Sequence, residues 1–171
     1  EQGITMAPGT GSRPVRYDDN DIYQCARQSQ GFASTFGSGL LHDRAGSDVY
    51  RAGGRYLHRP LRPNDFQSLS QGFSIGFRPR AGGGIGLLID DEGNDFYNGE
   101  IYSQGSSYWY SIGLLCDRGG NDRYHATQYS QGAGIHLSIG SLWEWGGDDQ
   151  YVSQLGVTQG EAKSFIAAYF E

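Results

Sequence analysis

The chain has 171 residues, among them 28 Gly and 12 Tyr, with 13 basic against 19 acidic side chains and a formal net charge of -6. This length fits one domain able to bury a real core, and the Gly and Tyr content favours turns and strands over helices. The acidic balance argues against nonspecific nucleic-acid binding, and no apolar run reaches the roughly 18 residues that a membrane span needs.

In chain order, Glu1 to Tyr23 reads as an incomplete first coil of a repeat, marked by Gln2-Gly3 and Asn20-Asp21-Ile22-Tyr23, with an irregular Gly/Pro/Ser-rich middle. Gln24 to Tyr50 is a complete coil. Residues 51–70 contain Pro60 and Pro63, which deny ladder hydrogen bonds, so this stretch is expected to project as a loop. A strand from Gln71 to Phe77 follows, then a shorter inserted loop at 78–83. Regular coils occupy Gly84 to Gln159, and 161–171 is an incomplete last coil or cap whose register favours strand. A chain that opens and stops inside coils is expected to be part of a longer polypeptide, or to meet other copies through its coil ends.

The register rests on columns of like residues. Gly-Leu-Leu falls at 39–41, 86–88 and 113–115, and returns as Gly140-Ser141-Leu142. An acid follows at Asp43, Asp90, Asp117 and Glu144, a second at Asp48, Asp95, Asp122 and Asp149, and a tyrosine at Tyr50, Tyr97, Tyr124 and Tyr151. A Gln-Gly step closes each copy. Gly86, Gly113 and Gly140 are 27 residues apart, whereas Gly39 and Gly86 are 47 apart; the extra 20 divide into about 14 before Gln71 and 6 after Phe77. Such a period with glycine corners is the mark of a solenoid. The expected fold is therefore all-β, a right-handed parallel β-solenoid of about six coils in a single domain, with two loop insertions in one coil. Leu41, Leu88, Leu115 and Leu142 should stack inward, while residues 42, 89, 116 and 143 should face out. Cys25 and Cys116 lie more than two coils apart, beyond reach of an internal disulfide.

The turns Gly93-Asn94-Asp95-Phe96-Tyr97 and Gly120-Asn121-Asp122-Arg123-Tyr124 partly resemble the nonapeptides of the calcium-binding RTX repeats. The likeness covers about a third of each coil and lacks that family's doubled glycine-rich nonapeptides. It implies Ca²⁺ at Asp95 and Asp122, and less directly at Asp48 and Asp149. The whole-coil pattern also resembles the parallel β-helix of the pectate-lyase type in architecture, and transfers no catalytic residue. Stacking carboxylates about 4.8 Å apart costs roughly 1 kcal/mol in water and about 3.5 kcal/mol at an effective dielectric of 20. Either Ca²⁺ held by the rows Asp43/Asp90/Asp117/Glu144 and Asp48/Asp95/Asp122/Asp149, or hydrogen bonds from each turn's own amides, must offset that cost. The Gln row reads as an amide ladder satisfying itself along the stack.

Seven of the twelve arginines, Arg44, Arg51, Arg55, Arg59, Arg62, Arg78 and Arg80, fall in or beside the two insertions. With His58, Phe73 and Phe77 they form a candidate binding face for an anionic polysaccharide, the bland alternative being that they tie down the loops. The four histidines occupy unrelated repeat positions, so no triad or metal spacing emerges and the reading leans away from an enzyme. Trp109, Trp143 and Trp145 with Tyr108 and Tyr110 are expected to pack between coils rather than to stack sugars. The expectation is a non-catalytic structural or adhesion module of an extracellular or cell-envelope protein, with Ca²⁺ as its candidate cofactor. The alternative is a polysaccharide-binding or polysaccharide-lyase β-helix that uses the Arg-rich insertions.

Overall fold

A 27-residue copy that presents the same residue types as its neighbours can satisfy its strands only by lying directly over the previous copy. The computed structural model describes residues 20–60 and 62–160 together with the backbone of 162–163 and 168–170. Its strands are β1 (Ile22–Cys25), β2 (Ser38–His42), β3 (Val49–Ala52), β4 (Leu57–His58), β5 (Arg62–Phe66), β6 (Ser74–Ile75), β7 (Ile85–Asp90), β8 (Phe96–Asn98), β9 (Ser107–Tyr108), β10 (Ile112–Asp117), β11 (Arg123–Ala126), β12 (Gly134–Ile135), β13 (Ile139–Glu144), β14 (Gln150–Ser153), β15 (Ala162–Lys163) and β16 (Ala168–Phe170). No helix occurs among the described residues.

Three parallel sheets form the walls, ordered β1-β3-β8-β11-β14, β2-β7-β10-β13-β16 and β6-β9-β12-β15. Pairing sets Tyr23, Tyr50, Tyr97, Tyr124 and Tyr151 in one column, and Leu41, Leu88, Leu115 and Leu142 in another. The result is a parallel β-solenoid of about five turns among the described residues, rather than the expected six, and residues 1–19 lie outside the described residues. In the tail, Ala168 pairs with Ser141, 27 positions away.

The interior is divided by backbone. A Cβ placed on Gly39, Gly86, Gly113 or Gly140 would overlap the carbonyl oxygen of Phe32, Phe73, Ser106 or Ala133. In return, a Cβ on Gly31, Gly72 or Gly105 would overlap the carbonyl of Leu87, Leu114 or Ser141. Two glycine columns therefore let opposite walls touch, and leave a core on either side. One core holds Tyr50, Tyr97 and Tyr124 against Leu88, Leu115 and Leu142; the other holds Leu69, Phe73, Ile101, Tyr102, Tyr129, Ala133 and Ile135. Each wholly buried Leu contributes about 1.5–3 kcal/mol.

The Gln-Gly step supplies the bend at this waist. Gln30, Gln71, Gln104, Gln131 and Gln159 all hold φ between 50° and 58°, followed by glycines at 71° to 79°. Their side chains correct the expected self-satisfying amide ladder. Gln104 Nε2 donates to Tyr97 O of its own coil and to His125 O of the next, and Gln71 and Gln131 repeat the arrangement. Each amide thus bridges two strands of the tyrosine sheet, and its Oε1 keeps no partner.

Residues 51 and 52 belong to strand β3, and Ser68 to Ser70 are buried in the coil, so the projection runs from 53 to 66 rather than over all of 51–70. Its ends are drawn together where Ser68 Oγ donates to Ala52 O. The projection is an antiparallel hairpin of β4 and β5 with a register shift at its bulge, where Pro63 is accommodated. The expected strand over 71–77 narrows to Ser74–Ile75, because Gln71 and Gly72 adopt the left-handed bend. His42 and Trp143 face solvent as expected, but Cys116 is buried beside Arg118; it and Cys25 are both free thiols.

Gly113→Ala should cost about 3 kcal/mol in chemical unfolding, the upper end of the overpacking range, since the added methyl meets backbone that cannot rotate away. Gly54→Ala, with φ of +75° but open space around it, should cost only about 1–2 kcal/mol.

Candidate functional site

The two acidic rows stand at the corner between the Leu-Leu strand and the tyrosine strand, and they are bonded differently. In the first row, Asp90 accepts from Tyr50 Oη at 2.6 Å, Asp117 from Tyr97 at 2.7 Å and Glu144 from Tyr124 at 2.7 Å, while Tyr23 donates to Asp43. Each of these donors belongs to the coil before its acceptor, and Tyr124 Oη also lies 3.0 Å from Asp117 Oδ2 of its own coil. Asp43, Asp117 and Glu144 spend their other oxygen on amides of their own turns. In the second row, Asp48 Oδ1 accepts from Asp21 N, Asp95 from Asp48 N, Asp122 from Asp95 N and Asp149 from Asp122 N, at 2.6 to 2.8 Å. Turn amides therefore do satisfy part of both rows, but the second row uses the neighbouring coil's amide, not its own. Exposed Asn20, Asn94 and Asn121 form a parallel ladder outside it.

Sequence reasoning missed the tyrosine hydroxyls as partners of the first row. The available signal was the constant separation of 20 between each Tyr and the acid it reaches in the next regular coil, as in Tyr97–Asp117 and Tyr124–Glu144.

The rows converge into three groups: Asp48/Asp90/Asp95, Asp95/Asp117/Asp122 and Asp122/Glu144/Asp149. Within each, one carboxylate oxygen per residue lies within 4.8 Å of the others. Asp48, Asp90, Asp95 and Asp122 are at most 2% exposed, yet each retains one buried oxygen with no hydrogen-bond partner. No Lys, Arg or His forms an ion pair with any of them among the described residues. Desolvation, the largest cause, pushes Asp95 and Asp122 up to about 8, Asp90 and Glu144 to about 7 and Asp48 to about 6; Asp117 is raised too. Hydrogen bonds from Tyr and amide donors oppose these shifts without reversing them. Buried carboxylates crowded in this way must share protons or hold a cation. All-oxygen donors on adjacent rungs suit a hard divalent ion such as Ca²⁺, not a thiophilic one.

The insertion residues are not one patch. The hairpin leaves the coil before β6 and the second loop after it. On the hairpin, Arg62 pairs with Asp65 at 2.6 Å, Arg55 stacks on Tyr56, and His58 sits edge-on to Tyr102 with burial lowering its pKa; Arg59 is exposed. On the second loop, Phe77, Arg78 and Arg80 are exposed, with Arg80 over the Phe77 ring. Phe73 departs from the expected face: it is wholly buried in the second core, stacked on Phe32, because its place follows the inward Gln-Gly bend. The aromatic expectation divides as well. Trp143 and Trp145 pack edge-to-face with each other, while Trp109 lies under Arg78.

Searches of protein families, curated proteins and solved structures give no match to this chain.

Because the folded acids bind protons that the unfolded chain has already released above pH 4, stability in EGTA should fall as pH rises from about 4 through 8. Denaturant midpoints at a series of pH values measure this, and Asp95→Asn should flatten the slope. Tyr97→Phe, which strips a donor from buried Asp117, should cost about 1.5–3 kcal/mol.

Proposed function

We propose that this chain is a non-catalytic β-solenoid module, a rigid scaffold or adhesion element of an extracellular or cell-envelope protein, whose coils are stapled by Ca²⁺ at the acidic turns. The observation that carries this reading is the set of buried, unpartnered oxygens on Asp48, Asp90, Asp95 and Asp122, each belonging to a three-carboxylate group. Asp95 and Asp122 each belong to two of these groups, so a cation in one acts on the next and the stack stiffens as a unit. An extracellular setting is consistent with this reading, since extracellular modules hold Ca²⁺ with dissociation constants of about 10⁻⁴–10⁻³ M.

A non-catalytic role also suits the distribution of reactive groups. Asp65 is paired with Arg62, and His58 packs edge-on against Tyr102 of the second core, so the hairpin's acid and imidazole are not directed at one another. Repetition serves the same end, since five stacked tyrosines and four stacked leucines give a rod whose rungs cannot shift independently.

Thermal unfolding in excess Ca²⁺ and in EGTA tests the proposal at pH 7.5. At 100 times the dissociation constant, each independent site would add about 2.7 kcal/mol, raising the midpoint by several degrees. The double variant Asp95→Asn/Asp122→Asn should lose that rise. Equal midpoints with and without Ca²⁺ in the wild type would overturn the cation, and leave shared protons as the means by which the acids are neutralised.

A further inference from the structure

We infer that the second insertion, with the two coils beside it, forms a binding site for an acidic glycan, a uronate whose carboxylate meets Arg78 and whose sugar faces meet the neighbouring aromatic rings. This site shares no residue with the acidic turns and goes beyond the scaffold role. Arg78 is exposed, but its guanidinium is fixed. It lies 5.1 Å above the Trp109 ring, and its Nη1 donates to Tyr108 Oη at 3.4 Å and to His136 Nε2 at 3.3 Å. These three supports come from two successive coils, so the solenoid repeat itself sets the guanidinium's position. Tyr108 and His136 stand edge-to-face at 5.1 Å, which braces the imidazole in turn.

Three observations point to the ligand's chemistry. Among the described residues, no carboxylate pairs with Arg78 or Arg80, on a chain that carries 19 acids. A guanidinium anchored through Nη1 keeps other N–H groups for a planar two-oxygen acceptor, the geometry that a carboxylate matches. Flat apolar surface adjoins the charge: Tyr110 and Phe77 are 54% and 57% exposed, and Tyr110 stands at 89° to Trp109, 5.0 Å away. Exposed rings beside a fixed guanidinium suit the apolar face of a pyranose next to its acid group.

Extent is supplied by the adjoining groove. From Tyr110 an apolar channel of about 630 Å³ continues along the solenoid past Ile85, Ile112, Leu137 and Ile139. It crosses successive coils, so it offers a linear ligand a track along the axis rather than a closed pocket. An open track with one charged end selects a polymer segment over a small metabolite, which would leave most of its surface in water.

The test is titration with alginate oligosaccharides, followed by calorimetry and by Trp fluorescence, in EGTA so that no cation links the polymer to the acidic turns. Wild type should bind, and neutral dextran oligosaccharides should not. Arg78→Ala should weaken binding at least tenfold with unchanged thermal stability, since the side chain lies on the surface. Arg78→Lys should restore it only in part, because the two-pronged contact is lost. Arg59→Ala, on the other insertion, should bind as wild type does. The inference is overturned if alginate fails to bind, if Arg78→Ala binds as tightly as wild type, or if poly-glutamate binds equally well, which would make the site a general acidic-peptide surface.

Discussion

The constraint on which this structure depends is the burial of like charges in register. A repeat that places an acid at the same point of every coil must stack carboxylates, and here the stack is closed off from water. Tyrosine makes it tolerable. The rings stack nearly parallel, 4.7 to 4.9 Å apart, and the hydroxyls of Tyr23, Tyr50, Tyr97 and Tyr124 reach forward to the acid of the next coil. One residue type thus fills the core with its face and neutralises a buried acceptor with its tip. The second acidic row is tied by backbone amides one coil away, so both rows hold coil to coil, and the first row also braces its own turns. What remains is a set of bare oxygens facing one another, and that remainder is what makes the corner chemically distinctive.

Much of the fold was legible because the columns are literal. Tyr50, Tyr97 and Tyr124, and Leu88, Leu115 and Leu142, occupy the same place in each copy, and strand pairing sets like against like. The glycines at 86, 113 and 140 stood out in the sequence as corners, whereas the structure shows them where the walls meet backbone to backbone. What could not be read was anything decided across the coil. The Gln column looked like a ladder of amides, but the left-handed bend at each Gln turns its Nε2 toward strand carbonyls instead. Phe73 lies two residues beyond that bend and is carried into the core, although in the sequence it stands among arginines. The hairpin was harder still. Two prolines argued against pairing, whereas a bulge and a two-stranded turn absorb Pro63.

The candidate sites divide along the same line. The acidic groups are built from columns, so their residues were visible from spacing; the hydroxyl partners were not, because the shortest bonds connect different columns in different coils. The surroundings of Arg78 come from a loop that breaks the repeat and from two coils that keep it, and nothing in the linear pattern links position 78 to positions 109 and 136. On the proposed reading, stiffness and recognition therefore occupy different parts of the coil: the columns supply a fixed frame, and the interrupted corner supplies variety upon it.

The glycine waist restricts how a chain of this kind can change in length. Opposite walls touch through backbone at Gly86, Gly113 and Gly140, so a residue added within a wall would move a side chain into a space that holds none, and would shift every rung beyond it. Lengthening is open by two routes only. Whole copies can be duplicated, each adding one tyrosine, one leucine and a pair of acids to columns already in place, or loops can be spliced in where the chain passes from one wall to the next. The hairpin and the second insertion both lie at such passages. An ancestor of this chain could gain new surface there without renegotiating its interior, and the price of each experiment was confined to one corner of one coil.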